Sequence, residues 1–174
     1  MSIRDAIAEA VERRHLAPLP HFLPGVAPVR HVFVTSEVWD FVGGPALPKE
    51  LAKKAAEGRR MLDSFTAGNK IVVSLNPHDK PPHCQLSRND PTEEGVWEFR
   101  IRDPKPQVRI FGCFAECDVF VALSVVSKDD LVGKLAYPLA VADNSSIWGG
   151  IFPEHNPVTG EDINAYISGS FGFI

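Results

Sequence analysis

Three strand-length runs, Val96 to Arg102, Val108 to Phe114 and Val119 to Val125, follow one another with only short polar connections between them. Runs rich in β-branched and aromatic residues, joined by links too short for a crossover, read as an antiparallel meander. If Trp97, Phe99 and Ile101 face the core, pairing Arg102 with Arg109 puts Ile110, Gly112 and Phe114 on the same side, because paired residues share a face. Pairing Phe114 with Val119 then aligns Val119, Val121, Leu123 and Val125 with that core. The second face receives Glu98, Arg100 and Arg102, then Arg109, Phe111 and Cys113, then Phe120, Ala122 and Ser124. Arg102, Arg109 and Ser124 become neighbours at one end of the sheet, with Lys128 in reach. Arginines set opposite one another repel, so they require an anion. That anion is either an internal carboxylate, from Glu98, Asp103 or Glu116, or a ligand.

The chain before the meander orders itself around this sheet. Ser2 and Asp5 have the spacing of a capping box, and Ile3, Ile7 and Val11 repeat as one face of an N-terminal helix. Pro18, Pro20, Pro24 and Pro28 interrupt regular structure, which makes residues 1–28 an arm and linker. His31 to Thr35 is a strand, Ser36 caps a short helix to Val42, and Gly43 and Gly44 stop it. Pro48 opens a second helix with Leu47, Leu51, Ala55, Leu62 and Phe65 as its buried stripe and Gly68 at its end. Ile71 to Leu75 is a further strand, followed by a proline-broken stretch and a short segment around Gln85 to Arg88. The expectation is an α+β fold: an arm and linker over 1–28, a strand-helix-helix and meander domain over 29–130, and an extension over 131–174 packed on it.

In that extension Ile147, Trp148, Ile151 and Phe152 form one apolar cluster, and Ile163, Tyr166 and Ile167 another at helical spacing. The closing Phe171-Gly172-Phe173-Ile174 either packs back or docks a second chain. The N-terminal arm either packs across its own core or reaches a partner, so the arm or this tail is the expected contact for a protein partner.

Composition narrows the functional classes. The formal charge of −4 gives no chain-wide attraction to phosphate, so any nucleic-acid contact needs a local basic patch. No apolar run reaches the roughly 18 residues of a membrane span, and charged residues occupy the start, so a cytoplasmic location without membrane contact is expected. Cys84, Cys113 and Cys117 show no metal-ligand spacing and fit a reducing compartment. His78, His83 and Cys84 lie close together but lack a four-ligand pattern, so neither metal nor cofactor is expected. Asn144-Ser145-Ser146 matches a glycosylation acceptor only formally. Gly149-Gly150 lacks the lysine and strand-turn-helix setting of a phosphate loop, and no serine or cysteine stands in a nucleophile elbow.

The segments Val96-Trp97-Glu98-Phe99-Arg100-Ile101, Val108-Arg109-Ile110-Phe111-Gly112 and Val121-Ala122-Leu123-Ser124, leading to Lys128, resemble the sheet of RelE/HigB-type toxins of bacterial toxin–antitoxin pairs. The order strand, two helices, meander is similar too, over roughly residues 30 to 130. The resemblance implies a metal-independent endoribonuclease acting on mRNA, usually on the ribosome, with an antitoxin as partner. It implies that Arg109 holds the scissile phosphate with Arg100, Arg102 and Lys128 as the other catalytic cations, and that Lys105 and Ser124 contact RNA. The chain departs from the family in Asp129 and Asp130, where members tend to be basic, and in its length and acidity; Tyr137 is the nearby candidate for the family's C-terminal tyrosine or histidine. The alternative expectation is a non-catalytic interaction module of a mobile element on the same fold.

Overall fold

A computed structural model describes residues 1–44, 47–169 and 171–172. The expectation for Phe173 and Ile174 falls outside the described residues. The chain is mixed α+β. Helix α1 (Ile3–Glu12) precedes strands β1 (Ala17–Pro18) and β2 (His31–Val34), then helices α2 (Ser36–Val42) and α3 (Lys49–Thr66). Strands β3 (Ile71–Ser74), β4 (Leu86–Arg88), β5 (Val96–Ile101), β6 (Val108–Glu116) and β7 (Val119–Ser127) follow, then helix α4 (Ala136–Ile151) and strand β8 (Phe171–Gly172). The strands lie in the order β1-β2-β7-β6-β5-β4-β3-β8.

The β5-β6-β7 meander is antiparallel, as its short connections require, and β4 adds to it antiparallel. The flanks differ: β2 runs parallel to β7, and β3 parallel to both β4 and β8. Both faces of the sheet are covered. Leu62 and Phe65 of α3 pack with Trp97, Phe99, Ile110 and Phe114 on the first face. Ala6, Ile7 and Ala10 of α1 and Val141 and Trp148 of α4 pack with Phe111, Cys113 and Val121 on the second. This explains why β6 is buried through Ala115, with only Glu116 at its end partly exposed.

Local signals act as their chemistry demands, with small shifts. The capping box of Ser2 and Asp5 forms. Thr35, not Ser36, caps α2, accepting from the Val38 N–H. The buried stripe of α3 is Ala55, Gly58, Met61, Leu62 and Phe65, whereas Leu51 is 39% exposed near the helix start. Gly68 follows the α3 C-cap at φ 78, the left-handed geometry glycine supplies without strain. Ile163, Tyr166 and Ile167 are buried, but around a short 3₁₀ turn rather than a helix.

The predicted register needs correction in two places. Arg109 pairs with Arg100 rather than with Arg102, which lies just past the end of β5. Phe114 pairs with Phe120 rather than Val119, because Ala115 bulges from β6, and Leu123 bulges from β7 between Ala122 and Ser124. Each bulge reverses side-chain parity. Val119, Val121 and Leu123 therefore belong to the second core and Phe120 and Ala122 to the first, the reverse of the expectation. The two reversals cancel at Val125, which packs on the first core as expected. Beside the Leu123 bulge the Phe120 ring lies over Gly112, where a Cβ would collide with the ring and with the Val121 carbonyl.

Candidate anion-binding and catalytic site

The second face of β4, β5 and β6 carries polar side chains where the surrounding face is apolar. Ser87 pairs with Glu98 and Glu98 with Phe111, while Arg100 stands directly opposite Arg109. Glu98 Oε1 is the hub. It accepts from Ser87 Oγ at 3.2 Å and from Lys80 Nζ at 3.2 Å, and lies 3.8 Å from Arg100 Nε and 3.7 Å from Arg109 Nε. Lys80 also donates to Asn89 Oδ1 at 3.0 Å. Three cations thus face one carboxylate.

Burial makes this arrangement costly. The side chains of Glu98 and Arg109 are each 1% exposed. A buried ionic group is tolerated when its hydrogen-bonding capacity is met. Here it is met incompletely: Arg109 Nη2 donates to Gln107 Oε1 at 2.8 Å and Nη1 to the Val108 carbonyl at 3.1 Å, while its Nε has no hydrogen-bond partner. Arg100 Nε and Nη1 and Glu98 Oε2 are also buried without one. N–H groups left over on two opposed guanidinium groups are what an incoming oxyanion satisfies, in the bidentate geometry arginine favours.

The remaining predicted residues sit at different distances from this hub. Lys128, in the turn after β7, holds its Nζ 3.1 Å from the Tyr137 hydroxyl and 4.5 Å from that ring's centre. Lys80 Nζ approaches the same ring at 5.4 Å, and the ring stacks edge-on to Phe111 at 6.3 Å. Tyr137 therefore joins Lys128 to the Glu98 cluster. Arg102 turns to the loop before β4, donating to the Cys84 carbonyl at 2.8 Å. Burial holds its guanidinium below the ordinary arginine range, and the nearby charges of Arg100 and Arg109 push the same way. Lys105 is exposed on the β5-β6 connection. Ser124 is 8% exposed and donates to Asn144 Oδ1 at 2.9 Å, which binds β7 to α4.

Lys80, Ser87 and Asn89 were not legible as site residues. Lys80 lies in the proline-broken stretch, where no periodicity assigns a face, and only the fold carries it to Glu98. Cys84 is buried, its Sγ 3.1 Å from the Leu86 carbonyl, and burial pushes its thiol up. No family model, curated protein or solved structure matches this chain. Among the described residues no helix is long and apolar enough to cross a membrane.

Proposed function

We propose that the chain is a RelE/HigB-type endoribonuclease, cleaving single-stranded RNA at the Glu98 cluster without a metal and paired with an antitoxin. The observation that carries the reading is the pair of opposed guanidinium groups, buried Arg109 and partly buried Arg100, facing a single carboxylate. RNA transesterification needs a base for the 2′-hydroxyl, cations for the pentavalent phosphate and an acid for the departing 5′-oxygen. Glu98 is the base. The 2′-oxygen forms its bond to phosphorus as its proton passes to Glu98, and the bond from phosphorus to the 5′-oxygen breaks, leaving a 2′,3′-cyclic phosphate. Arg100, Arg109 and Lys80 stabilise the charge on the non-bridging oxygens. Tyr137 and Lys128 are the donors for the leaving oxygen. Arg109 is enclosed, so the phosphate is met first by Lys80 and Arg100, whose side chains are partly exposed.

The test uses the full chain and a single-stranded RNA in the presence of chelator, free and on ribosomes, with product ends identified. Cleavage to cyclic phosphate ends is expected, and Glu98→Gln or Arg109→Met should lower its rate by about 10² to 10⁴. Cleavage unchanged in both variants would remove the cluster as the active site. The enclosure of Arg109 and its bonds to Gln107 and Val108 favour one other reading, a non-catalytic interaction module in which the cluster is purely internal. Absence of cleavage, together with a strongly destabilised Arg109→Met, would decide for that module.

A further inference from the structure

A second feature lies beside the start of α4. Strand β2 pairs with β7 only as far as Ala122, so among the described residues the last part of β7 has no strand on that side. A groove of about 970 Å³ opens there, with Val126 of β7 on one wall and, on the other, Leu139 of α4 and Leu135 at that helix's N-cap. Its apolar side chains are far from buried: Val132 is 76% exposed, Leu135 70% and Leu139 60%. Three large apolar residues clustered around one groove, each more than half exposed, are the pattern of a contact surface rather than of scattered surface hydrophobes. The rim is acidic, with Glu37, Asp130 and Asp143 lining the groove against the single cation Lys134.

The backbone indicates the form of the occupant. The free edge of β7 is already closed by side chains: the Val125 N–H donates to Glu37 Oε1 at 2.8 Å, and Thr35 Oγ1 donates to the Leu123 carbonyl at 2.8 Å. An added strand would have to break both bonds. A helix requires neither. Leu135, Leu139 and Asp143 repeat every fourth residue along one side of α4, the ridge against which a second helix packs. We infer that this groove docks a cationic amphipathic helix of a partner protein, with apolar residues on Val132, Leu135 and Leu139 and lysines or arginines on Asp130 and Asp143. The inference is independent of the chemistry at Glu98.

A Leu/Lys amphipathic helical peptide serves as the probe, with a Leu/Glu peptide of the same pattern as its control. Titration followed by methyl NMR of the full chain should shift Val132, Leu135 and Leu139 first, with affinity falling as salt rises. Leu135→Glu with Leu139→Glu should weaken binding by at least about tenfold. Because both side chains are exposed, thermal unfolding should stay close to that of the parent. Asp130→Asn with Asp143→Asn, which cannot disturb the core, should weaken binding less and flatten its salt dependence. Equal binding of the Leu/Glu peptide would overturn the inference. So would peptide binding indifferent to both double variants. Sedimentation showing a dimer that Leu139→Glu dissociates would also overturn it, since the groove would then belong to a second copy.

Discussion

The two faces of the sheet each bury arginines, and treat them differently. On the first face Arg88 is fully engaged, donating to the carbonyls of Leu75 and Gly160 and to both oxygens of Glu161. Arg30, at the foot of β2, donates to the carbonyls of Phe65 and Asn69 and lies 5.0 Å over the Phe65 ring. These two residues tie β4, α3 and the C-terminal segment together. On the second face Arg100 and Arg109 oppose each other, share Glu98 with Lys80 and leave N–H groups without acceptors. The same residue type thus serves as a clamp where acceptors are supplied, and keeps unsatisfied N–H groups where they are withheld.

The largest effect is expected at Glu98, which alone offsets three cations. Glu98→Leu should cost roughly 3 to 5 kcal/mol in urea unfolding, because it leaves buried like charges uncompensated. An unchanged midpoint would mean that the cluster is neutralised some other way, and the contrast between the faces would lose its basis. Next comes Arg88→Met, which strips the partly buried Leu75 carbonyl of its donor, leaves the Gly160 carbonyl with the Tyr166 hydroxyl alone and releases Glu161. A loss of about 1 to 3 kcal/mol is expected, the cost of one group left without its partner. It should be accompanied by faster amide exchange around Gly160 to Tyr166. No loss would mean that Arg88 is no clamp.

Arg109→Met sharpens the contrast most directly, because it removes one of two opposed cations and leaves Glu98 with Lys80 and Arg100. Relief of repulsion offsets the lost bonds to Gln107 and Val108, so stability should change by no more than about 1 kcal/mol. Ligand response should change completely. Inorganic phosphate at about ten times its dissociation constant should stabilise the parent by about 1.4 kcal/mol and leave Arg109→Met unmoved. A parent whose melting temperature ignores phosphate would make the second face as structural as the first.

How much of this was legible in the sequence follows from what each signal encodes. Apolar alternation placed Trp97, Phe99, Ile101, Ile110 and Phe114 on one face, because both hairpin partners carry the same period. Alternation says nothing about a residue inserted out of step, so the bulges at Ala115 and Leu123 reversed part of β7 unseen. Opposed arginines and a carboxylate were foreseen on the second face, but two residues away: Arg100, not Arg102, meets Arg109. Lys80 left no trace at all. A loop residue has no period, and its partner Glu98 is brought to it by β3 and β4 running parallel, a pairing that local patterns do not encode.

The smallest effect concerns Glu161, and it tests whether the Arg88 clamp rests on charge or on its carbonyl bonds. The Glu161 carboxylate is 77% exposed, and the hydrogen bonds from Arg88, reinforced by its charge, hold it below the usual carboxylate range. A depressed carboxyl contributes stability above its unfolded pKa and loses it as pH falls through its folded value. Urea midpoints of the parent and of Glu161→Gln should therefore differ slightly at neutral pH and converge as the solution is acidified past the carboxylate range. The bonds from Arg88 to Leu75 and Gly160 do not titrate, so Arg88→Met should remain less stable than the parent even there. If acidification brought all three proteins together, the exposed ion pair would be the clamp, and the carbonyl acceptors that set the first face apart from the second would carry no weight.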